Sequence, residues 1–286
     1  MIRFHKFTWL YTLISSIVIG VGLFSLVTFG YRFSIDFTGG TNLLYKSEKS
    51  IPRSTVEEVV QAQKIRIVQL STEKDTLSLQ TSPITDSQEN QIRDSLEKIG
   101  GKITSLRYET VGPVLGKETG IKTIIASGIA IVGILVYMSF AFKGYTYAMA
   151  AVLAMTHDFL VVLGTYSILS YFYGAEFDLM FVTALLTTMS FSVHDTIVIF
   201  DKVREYIREG GKKSIEELSD RAITETMVRS LNNSLTIIFM LLALLLMGGT
   251  TIRFFVAALL IGTITGTYSS PFVATPLFVL LEKKKR

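Results

Sequence analysis

Leu179–Phe200 reads LMFVTALLTTMSFSVHDTIVIF, an apolar run relieved only by hydroxyl side chains and a single His194-Asp195 pair near its end. A helix needs roughly 20 apolar residues to cross a bilayer, so this segment can span one while carrying a carboxyl group inside it. Five further runs share the character: Phe7–Phe29, Ile121–Phe142, Tyr145–Tyr171, Leu231–Met247 and Phe254–Leu281. The whole chain of 286 residues is 49% hydrophobic and only 18% charged. Water-soluble domains carry about a quarter charged residues, so the expected fold class is a membrane protein with six transmembrane α-helices. Span 1 is longer than a signal-peptide core and no small-x-small site follows Phe29, which predicts a retained anchor. Span 6 is long and carries Pro271 and Pro276, so it is expected to kink or to leave the membrane near its end.

The formal charge is +4, but the basic residues cluster at the ends of apolar runs. That pattern points to a lipid bilayer, not to nucleic acid. Arg3, Lys6, Lys143, the stretch from Lys202 to Arg229, and Lys283-Lys284-Lys285-Arg286 fall on one side if the spans alternate. The other side receives Glu176, Asp178, a Gly248-Gly249-Thr250-Thr251 turn and Arg253. The positive-inside rule then places both termini and the 201–230 link in the cytoplasm, and exports residues 31–119. The chain has no cysteine, which excludes disulfides, thiolate metal sites, iron–sulfur clusters and cysteine nucleophiles.

The expected domains are 1–30 (N-terminus and span 1), 31–119, 120–200 (spans 2–4), the link 201–230, and 231–286 (spans 5 and 6 with a basic tail). Residues 31–119 read as a folded α+β domain. Strands are expected at Asn42–Lys46, Ile65–Leu70, Thr76–Gln80 and Ile103–Thr110, with a turn at 71–75. Helices are expected at Ser54–Gln63, capped by Ser54 with Glu57, and from Thr85 to Ile99, capped by Thr85 with Gln88 and stopped by Gly100-Gly101. The order β-α-β-β-α-β is that of a ferredoxin-like split unit, a fold with many functions. No histidine lies there, and Glu57, Glu58, Asp75, Asp86, Glu89, Asp94 and Glu97 fall at surface positions. A binding or packing module is expected.

Two glycine motifs bracket this domain: Asp36-Phe37-Thr38-Gly39-Gly40-Thr41, and Val111-Gly112-Pro113 running on to Gly116. Neither has the spacing of a phosphate-binding loop, and the first runs into a strand. Both read as tight structural junctions.

Ionisable groups inside spans are costly, by about 2.5–3.5 kcal/mol on insertion scales, and mark function by default. Asp195 lies sixteen residues beyond Leu179, about 24 Å along a helix. Thr188, Ser192 and Asp195 form one polar stripe at i, i+4 and i+7, and Arg229, Asn232, Asn233 and Thr236 form another on span 5. Spans 4 and 5 are antiparallel neighbours, so Asp195 is expected to meet the Arg229/Asn233 face. Desolvation and a guanidinium act on such a carboxyl in opposite senses, which suits a proton carrier; the plainer reading is interhelical hydrogen-bond glue. His157-Asp158 in span 3 either extends a relay or cross-links helices. With His5 the one other histidine, a metal site is short of ligands, and neither metal nor cofactor is expected.

The link breaks at Gly210-Gly211 and restarts at Ser214 with a Ser214/Glu217 capping box. Ile215, Leu218, Ala222, Ile223 and Met227 share a face, which predicts an amphipathic helix lying on the membrane surface. Gly262 and Gly266 make a small-xxx-small pair for close packing.

Taken together, the 36–41 motif, Val111-Gly112-Pro113, His157-Asp158 and the stretch VHDTIVIFDKVRE at Val193–Glu205 resemble the SecD/SecF family of bacterial protein-export membrane proteins, relatives of the resistance–nodulation–division transporters. The resemblance covers nearly the whole chain and falls on the SecF side of the family. It implies half of a transporter core with an exported ferredoxin-like domain between spans 1 and 2, in the bacterial cytoplasmic membrane. It also implies a SecD partner, a SecY-type translocon, preprotein substrates and use of the proton gradient, in a component that is not an enzyme. By position, Asp195 matches the family's proton-carrier aspartate and Arg229 its partner arginine. Family members commonly carry Asn where this chain has His194, so a second ionisable group stands beside the carrier. The alternative function is a self-sufficient proton-coupled exporter of small molecules or lipids.

Overall fold

The structure, a computed structural model, describes residues 4–73, 75–142, 144–209 and 213–285. Arg3, Lys74 in the 71–75 turn, Lys143, the Gly210-Gly211 break and Arg286 lie outside the described residues. Two compact units are formed, Met1–Arg32 with Ala126–Arg286, and Phe33–Ile125. The second exceeds the expected 31–119 at its C-terminal end because the span 2 helix begins at Pro113. Proline suits a first helical position, where its missing N–H costs nothing.

Among the described residues six helices are long and apolar enough to cross a membrane. Span 1 is Thr8–Phe29 behind a 3-10 turn, Phe4–Phe7. Span 2 is Pro113–Ala141, span 3 Tyr145–Tyr173 and span 4 Leu179–Glu209. Gly174, in the left-handed conformation at φ 73°, stops span 3. Span 5 is Ile215–Met247. Span 6 runs Arg253–Ser269, passes through a π-helical turn at Ser270–Ala274 and continues as Thr275–Lys285. The expected kink is thus a π turn: Pro271 has no N–H to give, and the Thr275 N–H donates back five residues to the Ser270 carbonyl.

Spans 3, 4 and 6 each have 50% of their apolar window buried, against 17%, 6% and 11% for spans 1, 2 and 5, so the first three form the core. Small residues set the spacing. A Cβ on Gly262 would lie 2.3 Å from the Thr188 side chain, and one on Gly266 3.1 Å from Ser192 Cα. The Gly262/Gly266 face therefore packs on span 4. A second seam, not anticipated, joins spans 1 and 3: a Cβ on Gly22 would sit 2.8 Å from Gly164 Cα, and Ser25 and Ser167 hydrogen-bond at 3.1 Å one turn on.

The link differs from the expectation. Ser214 Oγ accepts from Glu217 N at 3.3 Å as a cap, but the helix then runs unbroken through Arg229 into span 5. No glycine or proline stands between Ile215 and Met247 to stop it. Its face packs on protein, not on a membrane surface. Ile215, Ala222 and Ile223 are buried with Phe4, Val203, Tyr206 and Phe278. Asp220 Oδ1 accepts from the Phe4 and His5 N–H groups at 3.1 and 3.3 Å and bonds His5 Nδ1 at 2.7 Å, tying the N-terminal turn to this helix.

In the α+β unit the strands are β1 Gly40–Ser47, β2 Ile67–Glu73, β3 Thr76–Thr81 and β4 Ile103–Val111. The helices are α1 Arg53–Ala62 and α2 Asp86–Gly100. The sheet order is β2-β3-β1-β4 with every neighbour antiparallel, the pairing of a split β-α-β arrangement. Alternate residues of β1 and β3 (Leu43, Tyr45, Leu77, Leu79) meet Val56, Val60, Ile92 and Leu96 in one core.

The Thr85/Gln88 capping box forms in both directions. The Ser54/Glu57 box does not. Pro52 precedes the helix, Ser54 lies inside its first turn, and Glu57 is taken by Arg53 at 2.7 Å. Glu89 departs from its expected surface position: it is 5% exposed and accepts from the Tyr45 hydroxyl at 2.9 Å. Burial, then this bond, raises the Tyr45 pKa.

The two glycine motifs pack on each other. Ser34 caps the single turn Ile35–Thr38 that contains Asp36, and Gly39 follows at φ 71°, where a Cβ would lie 2.6 Å from Pro113 Cα. A Cβ on Gly40 would lie 2.6 Å from the Thr81 carbonyl, and one on Gly116 2.6 Å from Gly39 N, whereas Gly112 faces open space. Thr41 Oγ1 bonds the Thr110 hydroxyl and accepts from Ile84 N at 3.1 Å.

Gly164→Ala should force the Gly22 contact apart and lower stability by about 1–3 kcal/mol. Gly20→Ala, with no atom within 4 Å of the added Cβ, should leave the thermal midpoint in detergent unchanged. Equal midpoints for the two variants would remove the seam between spans 1 and 3 as a packing constraint.

Candidate functional site

Spans 3, 4 and 6 converge on Asp158. It is 4% exposed and accepts four-way support: Oδ1 bonds His157 Nδ1 at 2.8 Å, while Oδ2 accepts from Ser192 Oγ of span 4 and from Ser269 Oγ of span 6 at 2.6 Å. The fourth link is indirect. His157 Nε2 bonds the Tyr268 hydroxyl at 2.9 Å, and Tyr268 reaches Ser15 Oγ of span 1 at 3.4 Å. Successive residues on a helix project about 100° apart, yet the His157 imidazole turns back onto its neighbour's carboxylate.

Hydroxyls continue the network around the π turn. Thr196 Oγ1 bonds Ser270 Oγ at 2.9 Å and donates to the Ser192 carbonyl at 3.1 Å. A carboxylate offers about four lone-pair sites, so three donors nearly complete its coordination in a medium where unpaired acceptors are expensive. The pair His157–Asp158 is thus buried and almost fully bonded, at 7% and 4% exposure. Thr188 lies on the same buried face of span 4, with its hydroxyl donating to the Leu185 carbonyl at 2.9 Å.

Asp195 lies one turn beyond Ser192 on that stripe and is half-buried. Its partner is Ser230: the Ser230 hydroxyl donates to Oδ2 at 2.6 Å. The expected meeting with the Arg229/Asn233 face is not formed, because Arg229, Asn232 and Asn233 are exposed. The inward stripe of span 5 is instead Thr226, Ser230 and Ser234 at i, i+4 and i+8, of which Thr226 and Ser234 are buried. His194, one residue from Asp195, points outward and is exposed.

Sequence reasoning missed Ser230, Tyr268, Ser269 and Ser270. Two signals were present. Ser269-Ser270 interrupts an apolar span directly before Pro271, and the Thr226/Ser230/Ser234 spacing is a small-residue seam that the neighbouring charge of Arg229 overshadows.

A family model described as "Protein export membrane protein SecD/SecF, C-terminal" matches residues 91–284, and one described as "SecD/SecF GG Motif" matches residues 24–51. The second contains the Gly39-Gly40 junction. The chain is 38% identical over 301 aligned positions to "Protein translocase subunit SecF" of Thermobaculum terrenum, covering 99% of this chain and 95% of that one. It is 33% identical to "Protein translocase subunit SecDF" of Thermus thermophilus, over 90% of this chain and 35% of the relative. A crystal structure of SecDF, described as a translocon-associated membrane protein from Thermus, superposes with a TM-score of 0.87 at 29% identity. The match takes in 100% of this chain and 39% of the SecDF chain. The chain belongs to the SecD/SecF family of protein-export membrane proteins.

Ser269→Ala removes one of three donors from a buried carboxylate and should cost about 1–3 kcal/mol in a thermal melt. Asn232→Ala, on the exposed face, should stay within about 0.5 kcal/mol of the parent. Reversal of that order would mean that the hydroxyl is not bonded to Asp158.

Proposed function

We propose that this member of the SecD/SecF family is the SecF-type subunit of the bacterial protein-export machinery, working with a SecD partner beside a SecY-type translocon. In this reading it draws on the proton gradient to promote preprotein movement across the cytoplasmic membrane. The observation that carries the proposal is Asp195, a carboxyl group inside an apolar span with one hydroxyl partner supplied by another span. Such a group can lose or gain a proton and change its interhelical contact in doing so. Asp158, held by three donors, is far less free to do this alone.

Arg229 modulates the carrier indirectly. It is the residue next to Ser230, so a turn of span 5 by about 100° exchanges one for the other against Asp195. Asn233 accompanies Arg229 on the exposed face, His194 adds an ionisable neighbour, and Thr188 and Ser192 hold span 4 against span 6. The partner SecD is supported by relatives in which the matched region is one part of a longer SecDF chain. The orientation is supported by Lys202, Arg204, Arg208, Lys283 and Lys284 at one end of the spans and Glu176 and Asp178 at the other. The α+β unit is then exported and meets protein, whether partner or substrate.

Asp195→Asn keeps the shape and most of the hydrogen bonding but cannot titrate. In vesicles holding the full complex with its SecD-type partner, this variant should assemble normally and lose gradient-driven export, while Asp195→Glu should retain part of it. Wild-type export by Asp195→Asn would demote the aspartate to helix glue. For the topology, Glu58→Cys and Glu217→Cys should react with an impermeant reagent from opposite faces of the membrane. Labelling of both from one face would refute the orientation.

A further inference from the structure

We infer that His157 and Asp158 form a second proton-binding site, built into the contact of spans 3, 4 and 6 and coupled through span 4 to Asp195. The inference rests on the reading of Asp195 as the proton carrier. Three features of the cluster go beyond what helix glue requires. Glue is commonly made from uncharged hydroxyls and amides, whereas this cluster holds a carboxylate at 4% exposure and an imidazole at 7%. Each imidazole nitrogen has its own partner, Asp158 Oδ1 on one side and the Tyr268 hydroxyl on the other. Tyr268 is only half-buried and gives the chain of bonds a less enclosed end.

The titratable groups facing Asp158 are His157 of its own helix and Tyr268 of span 6; span 1 presents Ser15, and span 4 presents Ser192. The ligand is a proton drawn from water. The Tyr268 hydroxyl gives its proton to His157 Nε2 and is reprotonated from the water side. The imidazole releases its Nδ1 proton to Asp158 Oδ1. One proton has entered, the imidazole is again neutral with its hydrogen on Nε2, and the carboxylate has become a carboxylic acid.

Neutralisation turns two charge-assisted bonds, from Ser192 and Ser269 to Oδ2, into weaker neutral ones. Those two bonds pin span 4 and the head of the π turn to span 3. Ser192 stands three residues before Asp195 on one helix face, so loosening it shifts the backbone that aims Asp195 at Ser230. The same turn carries Ser270, which donates to the Ser192 carbonyl at 3.3 Å, so span 6 feels the change as well.

The test uses proteoliposomes holding the full chain with its SecD-type partner and a SecY-type translocon, read by proton flux with a pH-sensitive dye and by export at several external pH values. Asp158→Asn should assemble, lose proton flux by about tenfold or more, and flatten the pH dependence. Asp158→Glu should restore part of the flux, and His157→Gln should slow it without preventing assembly. If Asp158→Asn keeps wild-type flux and pH profile, the site is overturned. A lowered thermal midpoint with an unchanged pH profile and no rescue by Glu overturns it too, as plain packing. Loss in Asp195→Asn with none in Asp158→Asn ends the second site and leaves the carrier standing. Loss in Asp158→Asn alone removes the carrier reading, and with it the coupling argued here.

Discussion

The membrane unit depends on the satisfaction of one buried carboxylate. Removing an ion from water carries a penalty of several kcal/mol even after relaxation, and at Asp158 that penalty is offset by three donors drawn from three different helices or helix segments. The donors are the constraint. Ser192 requires span 4 to approach span 3, Gly266 lets span 6 close on span 4 at the same residue, and Ser269 requires span 6 to present the end of its regular helix to span 3. The π turn begins at the next residue, so the break in helical periodicity and the polar centre are one construction.

Around that centre the six spans divide into an inner and an outer set. Spans 3, 4 and 6 supply Asp158 and its partners and have half-buried windows, whereas spans 1, 2 and 5 present most of their apolar surface outward. Asp195 lies where the two sets meet, reached by a hydroxyl from the outer span 5 and carried by the inner span 4. A carboxyl at such a boundary shares the rigidity of one helix and the freedom of the other. That position separates it physically from Asp158, whose partners all belong to the packed interior or to its own helix.

Much of this was legible in the residues. Six apolar runs, the Thr85/Gln88 box, the order of strands in the α+β unit and the Gly262/Gly266 face follow from periodicity and local chemistry, which act over a few residues. What was not legible depends on which side of a helix faces protein. Charge in a span is costly, so Arg229 stands out in the sequence, yet Ser230 one residue later makes the contact, and a single step turns a side chain by about 100°. Glu89 shows the same limit: a carboxylate on a helix reads as surface until a tyrosine from the sheet reaches it. The link failed for another reason, since a stretch of charged residues looks like a boundary although nothing in the backbone chemistry ends the helix there.

Span 5, with 33 residues, is about 50 Å long, well beyond the roughly 30 Å of hydrocarbon. It is a rod longer than the hydrocarbon is thick, and near its first turn Asp220 clasps the N-terminal turn. A tilt of about 10° about its middle displaces each end by about 4 Å, more than the length of a hydrogen bond. Ser230 lies one residue from that middle, so tilt swings the two ends while the hydroxyl that holds Asp195 stays within about 0.3 Å of its place.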